Sequence, residues 1–215
     1  MSDPKPRTLG ALLYPQFELL DLYGPLEMFG CIGPALRIVT VAEQAGPVAS
    51  TPGPCTVAEH SFASAPKLDL LLVPGGLGTF PQLKNDAMLD FLRARAPQCE
   101  VAMSVCTGSA LFAVAGLLDG RRATTNKQFF DVTIASGPKT TWEREARWVK
   151  DGSYVTSSGV SAGTDMALAV IAQLFSASAA QQVADITEYE WQKDPGRDPF
   201  TKFLNQAKIA PELLG

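Results

Sequence analysis

The chain switches repeatedly between two hydrophobic periods: short runs that are apolar nearly throughout, and longer stretches with apolar residues three or four positions apart. Thr8 to Tyr14 (TLGALLY), Leu36 to Ala42 (LRIVTVA), Leu68 to Val73 (LDLLLV) and Glu100 to Val105 (EVAMSV) predict strands. The third is the most apolar and reads as a central strand covered on both faces. Helical spacing predicts helices over Leu19 to Phe29, Asp86 to Ala96, Thr107 to Asp119, Ala162 to Phe175 and Ala179 to Tyr189. Gly24-Pro25 predicts a break or kink early in the first of these. Residues 46–66, rich in Pro, Gly, Ser and Ala, predict a loop with strand fragments around Cys55 to Glu59. Further on, Arg122 to Thr125 predicts a short strand and Lys127 to Ala135 a short helix. Thr140 to Val149 and Tyr154 to Ser157 predict two strands about a Lys150-Asp151-Gly152-Ser153 turn, and Thr201 to Ala207 a last short helix. Strands alternating with helices argue for an α/β fold, an open and mainly parallel sheet wrapped on both faces, with ligands at the carboxyl ends of the strands.

Where EVAMSV passes without a spacer into TGSALFAVAG, Cys106 sits at the joint. Thr107, Gly108 and Ser109 are small enough for a sharp turn, and a side chain held there stands near the positive end of the following helix. That placement predicts a reactive Cys106, held as a thiolate. The plain alternative is a buried cysteine acting as a small hydrophobe. Convergence of the first, third and fourth strand ends brings Asp21, Gly75-Gly76 and Cys106 within reach of one another. Asp21 is an acid in an apolar stretch (LLDLYGP). Beside a thiolate in a dry cleft its pKa should rise, making it a proton donor near neutral pH; the alternative is a residue that only stabilises a helix start. Backbone N–H groups of Gly76 and Thr107 are candidate donors to developing negative charge.

Composition removes several alternatives. A net charge of −4 with scattered Lys and Arg leaves no basic face for nucleic acid. The polar, proline-bearing start (MSDPKPRTLG) and the lack of a long apolar run predict a cytoplasmic protein with no membrane contact. The length of 215 residues predicts a single domain, with residues 190–215 as a polar tail. The four cysteines show no metal-ligand spacing, so no metal site is expected. The single histidine, His60, lies in the predicted loop. That count disfavours a Cys-His hydrolase, and it also disfavours Gly159-Val160-Ser161-Ala162-Gly163 as a serine elbow, because no histidine follows Ser161. The latter pentapeptide reads instead as a packing turn near the site. Gly75-Gly76-Leu77-Gly78 lacks the residues of a phosphate loop.

In order along the chain, DLYGPLEMF, LLVPGGLG, SVCTGSALFAVAGLLDGRRATTN and GVSAGTDMALAVIAQLF resemble the ThiJ/PfpI superfamily, and within it the isocyanide (isonitrile) hydratases. The resemblance implies a flavodoxin-like, doubly wound fold and a homodimer acting on a small molecule without a cofactor. It also implies a nucleophile at Cys106, an acid at Asp21, and a role for Thr107 beside the nucleophile. The expected activity is addition of water to an isocyanide to give an N-substituted formamide. Glyoxalase-like or amidase-like chemistry and a non-catalytic cysteine redox sensor stand as alternatives. Asn126-Lys127 departs from the His-Trp-like pair of such hydratases, and the tail after Tyr189 lacks their proline-rich run. Both departures bear on substrate identity.

Overall fold

Seven strands form one sheet in a computed structural model that describes residues 6–206. The strands and helices are β1 (Arg7–Leu12), α1 (Leu19–Gly30), β2 (Leu36–Ala42), β3 (Gly46–Ala49), β4 (Cys55–Ala58), β5 (His60–Ser61), β6 (Leu70–Val73), α2 (Thr79–Gln82), α3 (Asp86–Arg95), β7 (Val101–Val105), α4 (Gly108–Val114), β8 (Arg122–Ala123), α5 (Phe130–Ile134), β9 (Thr141–Trp142), β10 (Trp148–Asp151), β11 (Tyr154–Ser157), α6 (Ala162–Leu174) and α7 (Ala177–Ile186). The main sheet runs β10-β11-β7-β6-β1-β2-β5 and is parallel except for the β10–β11 pair. β3 and β4 form a separate antiparallel hairpin, and β8 and β9 a two-stranded parallel ribbon.

The predicted α/β architecture is the observed one, and the physical reasons are visible strand by strand. β6 and β7 are buried at every position, because helices cover both faces of the sheet centre. α3 is closed at both ends: Asn85 caps it by accepting from the N–H groups of Ala87 (3.0 Å) and Met88 (3.4 Å), and Asp86 and Arg93/Arg95 sit at the ends their charges favour.

Four predicted elements end differently. α1 does not break at Gly24-Pro25 but runs through to Gly30. The proline removes one backbone bond, while the packing of α1 on α6 holds the helix together; a Cβ at Gly24 would come within 2.6 Å of Thr164 Oγ1. α4 ends at Val114, not near Asp119. Gly116, at φ +78°, closes it with bonds from Leu117 N–H to the Phe112 carbonyl and from Gly116 N–H to the Ala113 carbonyl. The predicted Thr140 to Val149 strand is two strands in different sheets, split where buried Arg147 is drawn into an ionic cluster. The last predicted helix is a single 3₁₀ turn, Thr201–Phe203; Ala207 lies outside the described residues.

Gly108 fixes the passage from β7 into α4. A Cβ there would stand 2.5 Å from the Pro74 carbonyl oxygen and 2.7 Å from that of Val73, both backbone atoms that cannot step aside. Gly108→Ala should therefore cost about 1–3 kcal/mol in urea unfolding. Gly30→Ala, where nothing lies within 4 Å, should be neutral or stabilising by less than about 1 kcal/mol.

Candidate functional site

At the carboxyl end of β7 the chain makes an abrupt reversal, and Cys106 takes φ +59°, a left-handed conformation that costs a non-glycine residue energy. Its N–H donates to the carbonyls of Ser157 (3.2 Å) and Ser158 (3.1 Å), and its own carbonyl accepts from Thr125 Oγ1 (2.9 Å) and Ser109 Oγ (3.1 Å). Four bonds to the peptide units around one residue hold the strained elbow in place. The thiol is thereby carried over the sheet edge but stays buried, 6 % exposed.

Asp21 lies opposite, in the first turn of α1, and is fully buried. Its Oδ2 accepts from Gly75 N–H at 2.8 Å, while Oδ1 has no well-directed hydrogen-bond partner among the described residues. Burial raises the carboxyl to about 7, partly opposed by the Gly75 N–H; the charge of Glu18 raises it further and the facing Cys106 thiol lowers it as a weak donor. Gly75 is squeezed between acid and elbow. A Cβ there would lie 2.7 Å from Thr107 N and 2.9 Å from Asp21 Oδ2, so only glycine lets the two approach.

The expectation that the helix start holds Cys106 as a thiolate needs correcting. Burial pushes the thiol well above its ordinary range and the Asp21 charge pushes it further, against three groups that pull it down: the backbone N–H groups of Thr107 and Val160 and the Asn126 amide. α4 spans only seven residues, and its terminal field does not offset removal from water. Asp21 and Cys106 thus form a buried pair that shares one proton around neutral pH.

Asn126 is the site residue that sequence reasoning passed over except as a departure. Its Nδ2 donates to Cys106 Sγ at 3.1 Å, and its Oδ1 accepts from the N–H groups of Gln128 (2.8 Å) and Phe129 (3.1 Å). Those two backbone donors fix which end of the amide faces the sulfur. The signal available was its place directly after Thr125, which itself clasps the elbow.

Besides the backbone N–H it turns toward the Cys106 sulfur, Thr107 has a hydroxyl with a task of its own. Tyr14 OH donates to the Pro74 carbonyl (2.5 Å), so it must accept from Thr79 Oγ1 (3.0 Å), which in turn accepts from Thr107 Oγ1 (2.9 Å); Thr107 Oγ1 then accepts from Gly76 N–H (3.1 Å). The hydroxyl is used to pin the Gly75-Gly76 turn to the elbow. The Gly76 N–H is consequently engaged by Thr107, and that of Gly75 by Asp21.

A cavity of about 190 Å³ opens on the sulfur, walled by Leu77, Phe80, Phe129 and Val160, with half-buried Glu18 beside them. Phe80 and Phe129 face each other with ring centres 6.5 Å apart. Val160 belongs to the Gly159 to Gly163 segment, so that motif is indeed a turn at the site, and the Ser161 hydroxyl accepts from Arg147 (3.5 Å). His60 sits on edge strand β5, four strand positions from β7, roughly 19 Å away across the sheet. It cannot reach the thiol. No group of three or more His, Cys, Asp or Glu side chains suited to a metal ion occurs among the described residues.

The sequence profile of the DJ-1/PfpI family matches residues 10–173. Isonitrile hydratase of Pseudomonas putida is 36% identical over 181 residues, covering 84% of this chain and 78% of that protein. The HTH-type transcriptional regulator CdhR of Pseudomonas aeruginosa is 31% identical over 81% of this chain, which spans 52% of that protein. Among solved structures, a ThiJ/PfpI family protein from Pseudomonas syringae superposes with a TM-score of 0.80 at 32% identity, covering 87% of this chain and 76% of that one.

Burying an acid that must ionise costs stability, and the sign is definite. Between the ordinary value of 3.8 and the raised value of about 7 the unfolded chain has released the Asp21 proton while the folded chain keeps it, so stability falls as pH rises through that window and the cost is constant above it. Asp21→Asn removes the cost. Its unfolding free energy from urea titration should exceed that of the parent at pH 8 by on the order of 1 kcal/mol or more, and the gap should narrow at pH 4.

Proposed function

The chain belongs to the DJ-1/PfpI family, and from that premise we propose that it is a hydratase that adds water to isocyanides to give N-substituted formamides. The observation that carries this reading is a carboxyl raised to about 7 facing a buried thiol in an apolar cavity that no histidine reaches. An isocyanide needs what such a pair offers: a nucleophile for its terminal carbon and one proton for the same atom. It needs no oxyanion hole in the first step, which agrees with the Gly75 and Gly76 N–H groups being engaged elsewhere.

In the proposed sequence Asp21 takes the thiol proton as the Cys106 sulfur bonds to the terminal carbon, then delivers it to that carbon, leaving a thioimidate. The N–H donors of Asn126, Thr107 and Val160 hold negative charge on the sulfur as the proton leaves. Water adds to the thioimidate carbon, with one of its protons passing to nitrogen. Collapse of the tetrahedral adduct breaks the C–S bond and releases the formamide, and the remaining hydroxyl proton returns to the Asp21–Cys106 pair. Water is consumed and the protein ends as it began. Leu77, Phe80 and Phe129 suit a compact hydrophobic substituent on nitrogen. The homodimer implied by the family resemblance and the cytoplasmic location expected from the polar N-terminus belong to the same proposal. Leu20, Tyr23 and Val57 are exposed apolar side chains on α1 and β4, and sedimentation tests the dimer.

Purified protein incubated with cyclohexyl or aryl isocyanide should form the matching formamide; no turnover above background with several isocyanides overturns the reading. Cys106→Ala should abolish turnover with the fold intact, and Asp21→Asn should lower kcat by a factor on the order of 10² to 10⁴. The pH profile follows from the pair. Fully protonated, it has no base for the thiol proton, so kcat/KM should rise with pH through about 7 and fall only well above neutrality, as the thiol deprotonates. A rate that falls through pH 7 would contradict the shared-proton mechanism.

A further inference from the structure

The family profile stops at residue 173, yet the chain beyond it returns to the underside of the site. The Asp198 N–H donates to the Glu145 carbonyl (2.8 Å), the Pro195 carbonyl accepts from Arg147 N–H (2.8 Å), and Asn205 N–H donates to the Lys127 carbonyl (3.0 Å). Asn205 also exchanges side-chain bonds with Asp131, at 2.9 and 2.8 Å. Lys127 itself points inward and is 2% exposed. Its ammonium donates to Thr124 Oγ1 (2.8 Å) and to the carbonyls of Ala146 (2.6 Å) and Thr125 (3.4 Å), with Asp198 Oδ2 at 3.9 Å. On the other side of Asp198, Arg147 lies 3.6 Å from Oδ1 and pairs with Asp165 at 2.5 Å.

These charges make a buried row of alternating sign, Asp165, Arg147, Asp198, Lys127, and its two cations meet the two turns that serve the sulfur. Lys127 follows Asn126 directly in the chain. Arg147 donates to Ser161, the neighbour of Val160. We propose that Asp198 is a positioning residue for the nucleophile: standing between Lys127 and Arg147, it locks both turns so that Asn126 and Val160 aim their N–H groups at the Cys106 sulfur.

The physical reason is a count of donors. An ammonium has three N–H groups for its three acceptors, whereas a neutral amine has two. Burial already pulls Lys127 down to about 8, with Asp198 foremost among the charges that hold it up. Without that carboxylate the amine loses its third proton, one acceptor of the Thr124 to Phe129 loop goes unserved, and Asn126 loses its fixed aim. The inference rests on Cys106 being the reacting thiol, not on which substrate it attacks.

Asp198→Asn keeps the shape and removes the charge. In the full-length protein, the rate of Cys106 alkylation by iodoacetamide against pH, with the modified residue located by mass spectrometry, reads the sulfur environment independently of isocyanide turnover. The expected result is a thiol titration displaced upward and alkylation at neutral pH slowed roughly 10-fold, the effect of a lost hydrogen bond to a charged group. A segment that merely supports the fold would act in the opposite sense, because a loosened site admits the reagent and speeds alkylation. In an Asn126→Ala background, Asp198→Asn should add nothing further. An unchanged or faster alkylation profile in folded Asp198→Asn protein, or full additivity with Asn126→Ala, overturns the proposal. Should Asp198→Asn fail to fold, Lys127→Gln leaves two N–H donors in place of three at the same position. It should slow alkylation in the same direction, and a profile identical to the parent overturns the proposal as well.

Discussion

A carboxyl and a thiol are buried face to face with one proton between them near neutral pH, and the surrounding structure is arranged to sustain that arrangement. Neither group is satisfied in the ordinary way. Asp21 has one backbone donor on Oδ2 and none well aimed at Oδ1, and the sulfur of Cys106 is met by three N–H groups that favour its charged form while burial and Asp21 oppose it. Such a balance is costly to the fold and useful to chemistry, because a carboxylate that ionises near neutral pH faces a thiol that still keeps its proton.

Rigidity comes from polar groups placed behind the pair. On one side the hydroxyls of Tyr14, Thr79 and Thr107 run in a single donor direction from the Gly76 N–H to the Pro74 carbonyl, and they fix the turn that carries Gly75 to Asp21. On the other, Thr125 and Ser109 clasp the strained peptide at Cys106, and the buried row from Asp165 to Lys127 supports the two turns facing the sulfur. The wall of the cavity is largely apolar, with Phe80 and Phe129 apposed. Polar scaffolding and an apolar cavity thus occupy opposite sides of one loop.

The sequence by itself determined the α/β alternation, the central place of the Leu70 to Val73 strand, the meeting of Asp21, Gly75 and Cys106 at the strand ends, and the rejection of His60 and Ser161. These follow from local period, from residue type at a strand-to-helix joint, and from the presence of one histidine, all of which are properties of a short stretch of chain. The tertiary structure decided the rest. Whether Pro25 breaks α1 depends on the helix packed against it, and where α4 stops depends on the backbone angle Gly116 adopts. The protonation of Cys106 could not be read from the joint, because a helix-end field is local while desolvation is set by everything packed above the sulfur. The contacts of Asn126 and Asp198 were not legible for a related reason: each meets a residue distant in the chain, Cys106 and Lys127 respectively, and no spacing rule records a contact that only folding makes.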